Sequence, residues 1–107
     1  MYKTLPQMIY KKSQDFPELN IQFSKNTEGT FLPTTYKDFV NTMLDFSAGL
    51  LAIGEKEYSN IGLICDNRKE WLVCSMGIMA TKSHDIPRGS EATVKDLSYI
   101  LSSAECK

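Results

Sequence analysis

Glycine is scarce and poorly placed for phosphate chemistry. The 107 residues hold six glycines, and no two lie closer than five positions apart. A phosphate-cradling loop presents consecutive backbone amides, and this spacing excludes one. The nearest approach runs from Gly49 to Gly54, but Lys56 stands one place late and Gly49 sits inside a helical pattern rather than after a strand. Histidine occurs once, as His84, which leaves no pair for metal or general-base work. Its neighbour Asp85 cannot orient it within a strand, where adjacent side chains take opposite faces. The three cysteines, Cys65, Cys74 and Cys106, form no CxxC pair. With His84 they make a poor zinc set by spacing, and their odd number suits reduced thiols and a cytoplasmic location. No GxSxG elbow and no glycosidase-like pair of carboxylates is present. Catalytic, cofactor-binding and metal residues are therefore all expected to be absent.

Long apolar runs and one-sided charge are missing too. Trp71 to Ala80, interrupted by Ser75 and Gly77, spans about half a bilayer. The opening residues MYKTLPQMIYKK contain no apolar stretch fit for a signal peptide. Twelve Lys and Arg stand against thirteen Asp and Glu, scattered along the chain, for a net charge of −1. That balance excludes a nucleic-acid footprint or a polybasic membrane patch. The 42% hydrophobic and 23% charged fractions are those of an ordinary globular chain with room for one domain.

What is present centres on Asn60 to Gly89. Ile61 to Cys65 is a short apolar run, the pattern of a strand buried on both faces of a parallel sheet. Asp66-Asn67 stops it; both residues read as a helix cap, Asn67 as the N-cap itself with Glu70 completing the pattern. Asp66-Asn67 would also stand at the carboxyl end of a parallel strand, where open α/β sheets place ligands. A helix over about Arg68 to Thr81 is apolar nearly all round, so it belongs inside, with Trp71, Met76 and Met79 as core rather than as a ligand pocket. A second strand near His84 to Ile86 is stopped by Pro87, and a right-handed crossover should join the two.

Around this unit the chain reads in order. Thr4 with Gln7 caps a first helix, Pro6 is tolerated in its first turn, and Phe16-Pro17 ends it. Asn20 to Ser24 alternates Ile21 and Phe23 with polar neighbours, and with Thr30 to Pro33 it makes a β-hairpin. Thr35 with Asp38 caps the clearest helix, which buries Tyr36, Phe39, Val40, Met43, Phe46, Leu50 and Leu51 and ends at Gly54. Thr93 with Asp96 opens a last helix bearing Val94, Leu97, Leu101 and Ala104 on one face. Lys11-Lys12, Asp38 and Asp45 lie on solvated helix faces. A βαβα series usually returns to another strand, so the sheet is expected to have an open edge that something larger covers.

The run TYKDFVNTMLDFSAGLLAIG, followed by NIGLICDNRKEWLVCSMGIMATKSHDIPRGSEATVKDLSYILSSAECK, resembles the N-terminal part of AMP-forming long-chain fatty acyl-CoA synthetases of the AMP-binding, adenylate-forming superfamily. The marks are Thr35-Tyr36-Lys37-Asp38-Phe39, Ala48 to Gly54, Asp66 to Trp71, and Asp85-Ile86-Pro87-Arg88-Gly89. Where the family commonly has a glycine after the buried helix, this chain has Lys82, at a steric cost of about a kcal/mol if the position is left-handed. The resemblance implies an α/β fold: an incomplete N-terminal portion of an adenylate-forming large domain, with a βαβ unit, flanking helices and a β-hairpin. The chain would be one partial domain over residues 1–107, with a helix and hairpin in 4–34 and a helix-βαβ-helix part in 35–105. The complete family member joins fatty acid, ATP and CoA into acyl-CoA, AMP and pyrophosphate. Its phosphate loop, ribose-binding acidic residue and catalytic lysine come later, so ATP, Mg and CoA are expected only for the complete protein and this chain alone is expected to be inactive. The expected partner is the remainder of the synthetase, or a second copy across the open sheet edge, in the cytoplasm with peripheral membrane contact allowed. The alternative is a stand-alone, non-catalytic partner-binding module derived from that family.

Overall fold

A computed structural model describes residues 3–54, 56–66 and 68–106. Helix α1 (Leu5–Asp15) begins where the Thr4 side chain accepts from the Gln7 amide, with Pro6 in its first turn. The Gln7 side chain reaches back to the Lys3 amide, one residue before the cap. Strands β1 (Asn20–Lys25) and β2 (Phe31–Thr35) pair antiparallel as the expected hairpin. Its turn is closed by the Asn26 side chain, which accepts from the Glu28 and Thr30 amides, while Gly29 takes a φ of +84°.

The hairpin's alternation breaks at once. A bulge between Asn20 and Gln22 inserts one residue, and a one-residue slip exchanges the faces of everything beyond it. Ile21 therefore packs against the core, whereas Phe23 is 62% exposed rather than half-buried.

Helix α2 (Tyr36–Ala52) is capped by Thr35, whose side chain accepts from the Asp38 amide, and Gly54 follows it at a φ of +98°. Phe39, Val40 and Met43 are buried as its spacing requires, but Leu51 is exposed. Strand β3 (Asn60–Ile64), helix α3 (Lys69–Ala80) and strand β4 (His84–Arg88) form the expected parallel unit, with Ile61 opposite Asp85 and Leu63 opposite Pro87. Helix α4 (Val94–Ser103) is capped by Thr93, whose side chain accepts from the Asp96 amide.

Three expectations about this unit are corrected. Pro87 lies inside β4 and does not stop it. His84 donates to the Ser59 carbonyl and Arg88 accepts from the Cys65 amide. Even-numbered residues of β4 thus face β3, and Pro87 points its missing N–H away from the ladder, the position an edge strand tolerates. Strand β3 is not buried on both faces either: its residues are half-buried and Ile64 is exposed. Finally, the centre of the core is elsewhere. Ile9, Phe39, Val40, Met43, Val73 and Met76 pack together where α1, α2 and α3 meet, and the small sheet flanks this cluster. On α4, Val94 is 82% exposed and falls off the expected apolar face.

Candidate functional site

Side-chain direction places α3 and α4 on opposite faces of the β3–β4 sheet. The Asp85 carboxylate accepts from the Ser75 hydroxyl of α3 at 2.8 Å, so Asp85 and its cross-strand partner Ile61 face α3. Gly62 then faces the other way, and a Cβ built there would meet Leu101 of α4 at 2.7 Å. The Asn60 side chain, on the same face as Gly62, donates to the Ala104 carbonyl at 2.7 Å. Adjacent parallel strands whose connections leave to opposite faces open a crevice at their carboxyl ends, the usual ligand position in open α/β sheets.

That crevice is a cleft of about 340 Å³ lined by Cys65, Asp66, Trp71, Arg88 and Glu91 among others. Asp66 is its best-defined group. Its Oδ1 accepts from the Ser90 hydroxyl at 2.6 Å and from the Ser90 amide at 3.2 Å. The hydroxyl bond, then the amide bond, holds the carboxyl below its ordinary value of 3.8. Asp66 therefore ties the end of β3 to the turn after β4 rather than capping α3. The N-cap of α3 is Arg68, with no side-chain cap bond, and Asn67 lies outside the described residues. Arg68 Nε instead pairs with Glu70 at 2.8 Å, which lowers the Glu70 carboxyl and raises the guanidinium.

The other singled-out residues are dispersed. His84 is exposed at the start of β4, and Asp85 turns to the opposite face. Cys65, Cys74 and Cys106 are free thiols. Burial, then the negative charges of Cys65 and Glu70, pushes the Cys74 thiol up, making it a weaker nucleophile. Among the described residues no three His, Cys, Asp or Glu side chains gather to hold a metal. Met76 belongs to the core and Met79 packs against it, whereas Trp71 lines the cleft instead. Gly49 is helical, as its pattern requires.

Sequence spacing missed Ser90 and Glu91, since 24 residues separate Ser90 from Asp66 and only strand pairing brings them together. It also missed a larger hollow of about 600 Å³ between the hairpin and the start of α3, lined by Gln22, Ser24, Lys25, Arg68, Lys69 and Glu70. There Glu70 already neutralises Arg68, and the strand residues of the hollow belong to the antiparallel hairpin rather than to the parallel pair, so the smaller cleft is the better candidate.

No protein-family model matches the chain. Over 74 residues it is 40% identical to a chloroplastic long-chain-fatty-acid–acyl-carrier-protein ligase of Arabidopsis thaliana, covering 69% of this chain and 10% of that protein. It thus spans about a tenth of that relative's length. Among solved structures, a fatty acid AMP ligase from Legionella pneumophila superposes with a TM-score of 0.89 at 16% identity, over 99% of this chain and 19% of that one. The N-terminal subdomain of NpsA from Klebsiella oxytoca superposes with a TM-score of 0.83 at 16% identity, over 99% of this chain and 26% of that one. The fold is that of a part, about a quarter, of the NpsA N-terminal subdomain. No helix of the described residues is long and apolar enough to cross a membrane.

Proposed function

We propose that this chain, a homologue of the acyl-activating enzymes of the adenylate-forming superfamily, is the opening segment of an ATP-dependent fatty acid ligase. The complete protein would convert fatty acid and Mg-ATP to an acyl-adenylate with release of pyrophosphate, and then pass the acyl group to the thiol of coenzyme A. The observation that carries this reading is the 40% identity to a fatty acid ligase across 69% of the chain. Its own part is structural. It supplies a helical layer, a hairpin and a parallel strand pair to the large domain, while ATP, Mg and CoA are held by other residues of the complete protein.

The accessible surface supports a larger whole. At 7443 Å² it exceeds the roughly 6,000 Å² of a folded monomer of 12.1 kDa. The radius of gyration, 15.1 Å, likewise exceeds the about 13 Å of a compact domain this long. Three free thiols suit a reducing compartment, and cytoplasmic placement is kept as part of the proposal.

The test has two steps. An immunoblot of the source cells with antibody to this chain should show a band several times larger than 12.1 kDa. That protein, purified, should form acyl thioester from long-chain fatty acid only with ATP present. Because the Arabidopsis relative is named for acyl carrier protein, that acceptor and CoA should be offered separately. A band at 12.1 kDa alone would sink the reading, as would a larger protein without ligase activity on either acceptor.

A further inference from the structure

We propose that a groove between α1, α2 and the end of α3 binds a long-chain monocarboxylate, with the Lys82 ammonium holding the carboxylate and the apolar wall holding the tail. All the residues that line it belong to this chain, so the site is independent of the ligase reading.

The groove encloses about 370 Å³, within the roughly 300–1,000 Å³ of small-ligand clefts. Each of the three helices gives it a wall. Pro6 and Tyr10 come from α1, Met43 and Leu44 from α2, and Met79 from α3. Met43 is buried in the core below, whereas Leu44 and Tyr10 are exposed, so the lining runs from the core out to solvent. Methionine side chains adapt their shape to an unbranched, flexible tail. The polar groups at the α1 end are already engaged: the Thr4 side chain accepts from the Gln7 amide, and the Gln7 side chain accepts from the Lys3 amide. Among the described lining residues there is no carboxylate, and Lys82 is the one cation.

Lys82 is held at the rim against its own backbone preference. Its φ of +64° is strained for a residue with a Cβ. Its amide donates to the Met79 carbonyl, its carbonyl accepts from the Tyr58 amide, and the flanking Thr81 and Ser83 are buried. The backbone is thereby fixed on both sides of the lysine. Strain that the surroundings hold in place is a mark of ligand clamps. Tyr58 and Glu105 are left-handed too, but neither lines the groove. The present partner of Lys82 is Glu57, at 3.6 Å, and both side chains are more than half exposed. Such a pair contributes little, so an incoming carboxylate displaces Glu57 readily.

Charge selects the occupant. One ammonium beside an apolar wall complements one negative charge on an apolar tail. A phosphate dianion would find no second cation in the lining, and a neutral lipid would make no use of the ammonium.

Photolabelling locates the ligand without turnover. Dodecanoate carrying a terminal diazirine is irradiated with the 107-residue chain, and with any larger protein that the source cells contain, and labelled peptides are mapped by mass spectrometry. Label should fall on peptides holding Tyr10, Leu44 or Met79. Lys82→Gln keeps the side-chain length and removes the charge, and it should weaken that labelling about tenfold, whereas Lys82→Arg should retain it. Unlabelled dodecanoate should compete and dodecanol should not. Label that falls only elsewhere, label unmoved by Lys82→Gln, or equal competition by dodecanol would each overturn the proposal. So would Lys82-dependent retention on vesicles of anionic phospholipid with no labelling of the groove by the free acid, since the charge would then serve a membrane surface. A larger protein that labels in the groove but forms no acyl thioester would sink the ligase reading and leave this site standing.

Discussion

A lysine in the left-handed region is strained because its Cβ crowds the following carbonyl, and Lys82 sits there at a φ of +64°. Its amide closes the end of α3 by donating to the Met79 carbonyl. The exposed ion pair to Glu57, at 3.6 Å, returns little against that strain. Lys82→Gly should therefore raise unfolding stability by about 1 kcal/mol in urea titration, net of the extra freedom glycine gives the unfolded chain. Destabilisation would mean that the ion pair outweighs the strain. Asp66 provides a second test at this scale. Its folded-state value lies below 3.8, so its contribution is present above 3.8 and is lost as pH falls through the depressed value. In a carbon-detected NMR titration, Ser90→Ala should move the Asp66 midpoint up towards 3.8, because the Ser90 hydroxyl is the largest cause of the shift. An unmoved midpoint would assign the shift to the Ser90 amide.

Between elements, α2 and α3 approach closely. Gly77 of α3 leaves no room for a side chain: a Cβ would sit 2.6 Å from the Phe46 ring and 3.3 Å from the Met43 carbonyl. The Ser47 hydroxyl donates to the Gly77 carbonyl at 2.6 Å, across the same buried contact. Gly77→Val should cost about 1–3 kcal/mol by overpacking. Ser47→Ala should cost about 1–3 kcal/mol by leaving a buried carbonyl unsatisfied. Both are read from denaturant midpoints at unchanged slope, and the double variant should fall short of the sum because the two changes share one contact. Full additivity would mean that the helices separate before either cost is felt.

At the scale of the molecule, the core is small and the surface large. Phe39 is fully buried where α1, α2 and α3 meet. Phe39→Ala should cost about 3–5 kcal/mol, a large share of the roughly 5–15 kcal/mol expected of a domain this size. Loss of the native circular-dichroism spectrum at room temperature would satisfy that expectation; a change below about 1 kcal/mol would contradict it. Large apolar side chains stay exposed, among them Phe23, Phe31, Ile53, Val94 and Tyr99. The isolated chain should consequently self-associate with rising concentration in sedimentation velocity. A single monomer boundary at every concentration would favour a self-sufficient module over part of a larger domain.

Features that depend on neighbours along the chain could be read from the residues alone. Thr4, Thr35 and Thr93 cap the three helices their spacing marked, Gly54 ends α2 left-handed, and the two apolar runs flanking α3 became parallel strands. Even the Lys82 strain was legible, as a bulky residue where the resembled family keeps glycine. Other features depend on contacts between distant residues and were settled by packing. A bulge turned Phe23 outward, a strand edge with no need of a donor absorbed Pro87, and the small flanking sheet left β3 half-buried. The cleft belongs to this second class. Asp66 read as a helix cap because capping is local, whereas its partner Ser90 is 24 residues away and arrives only through the register of β3 and β4. Periodicity reports which way a side chain points along its own element. The opposing surface it meets is set by packing, which no local pattern encodes.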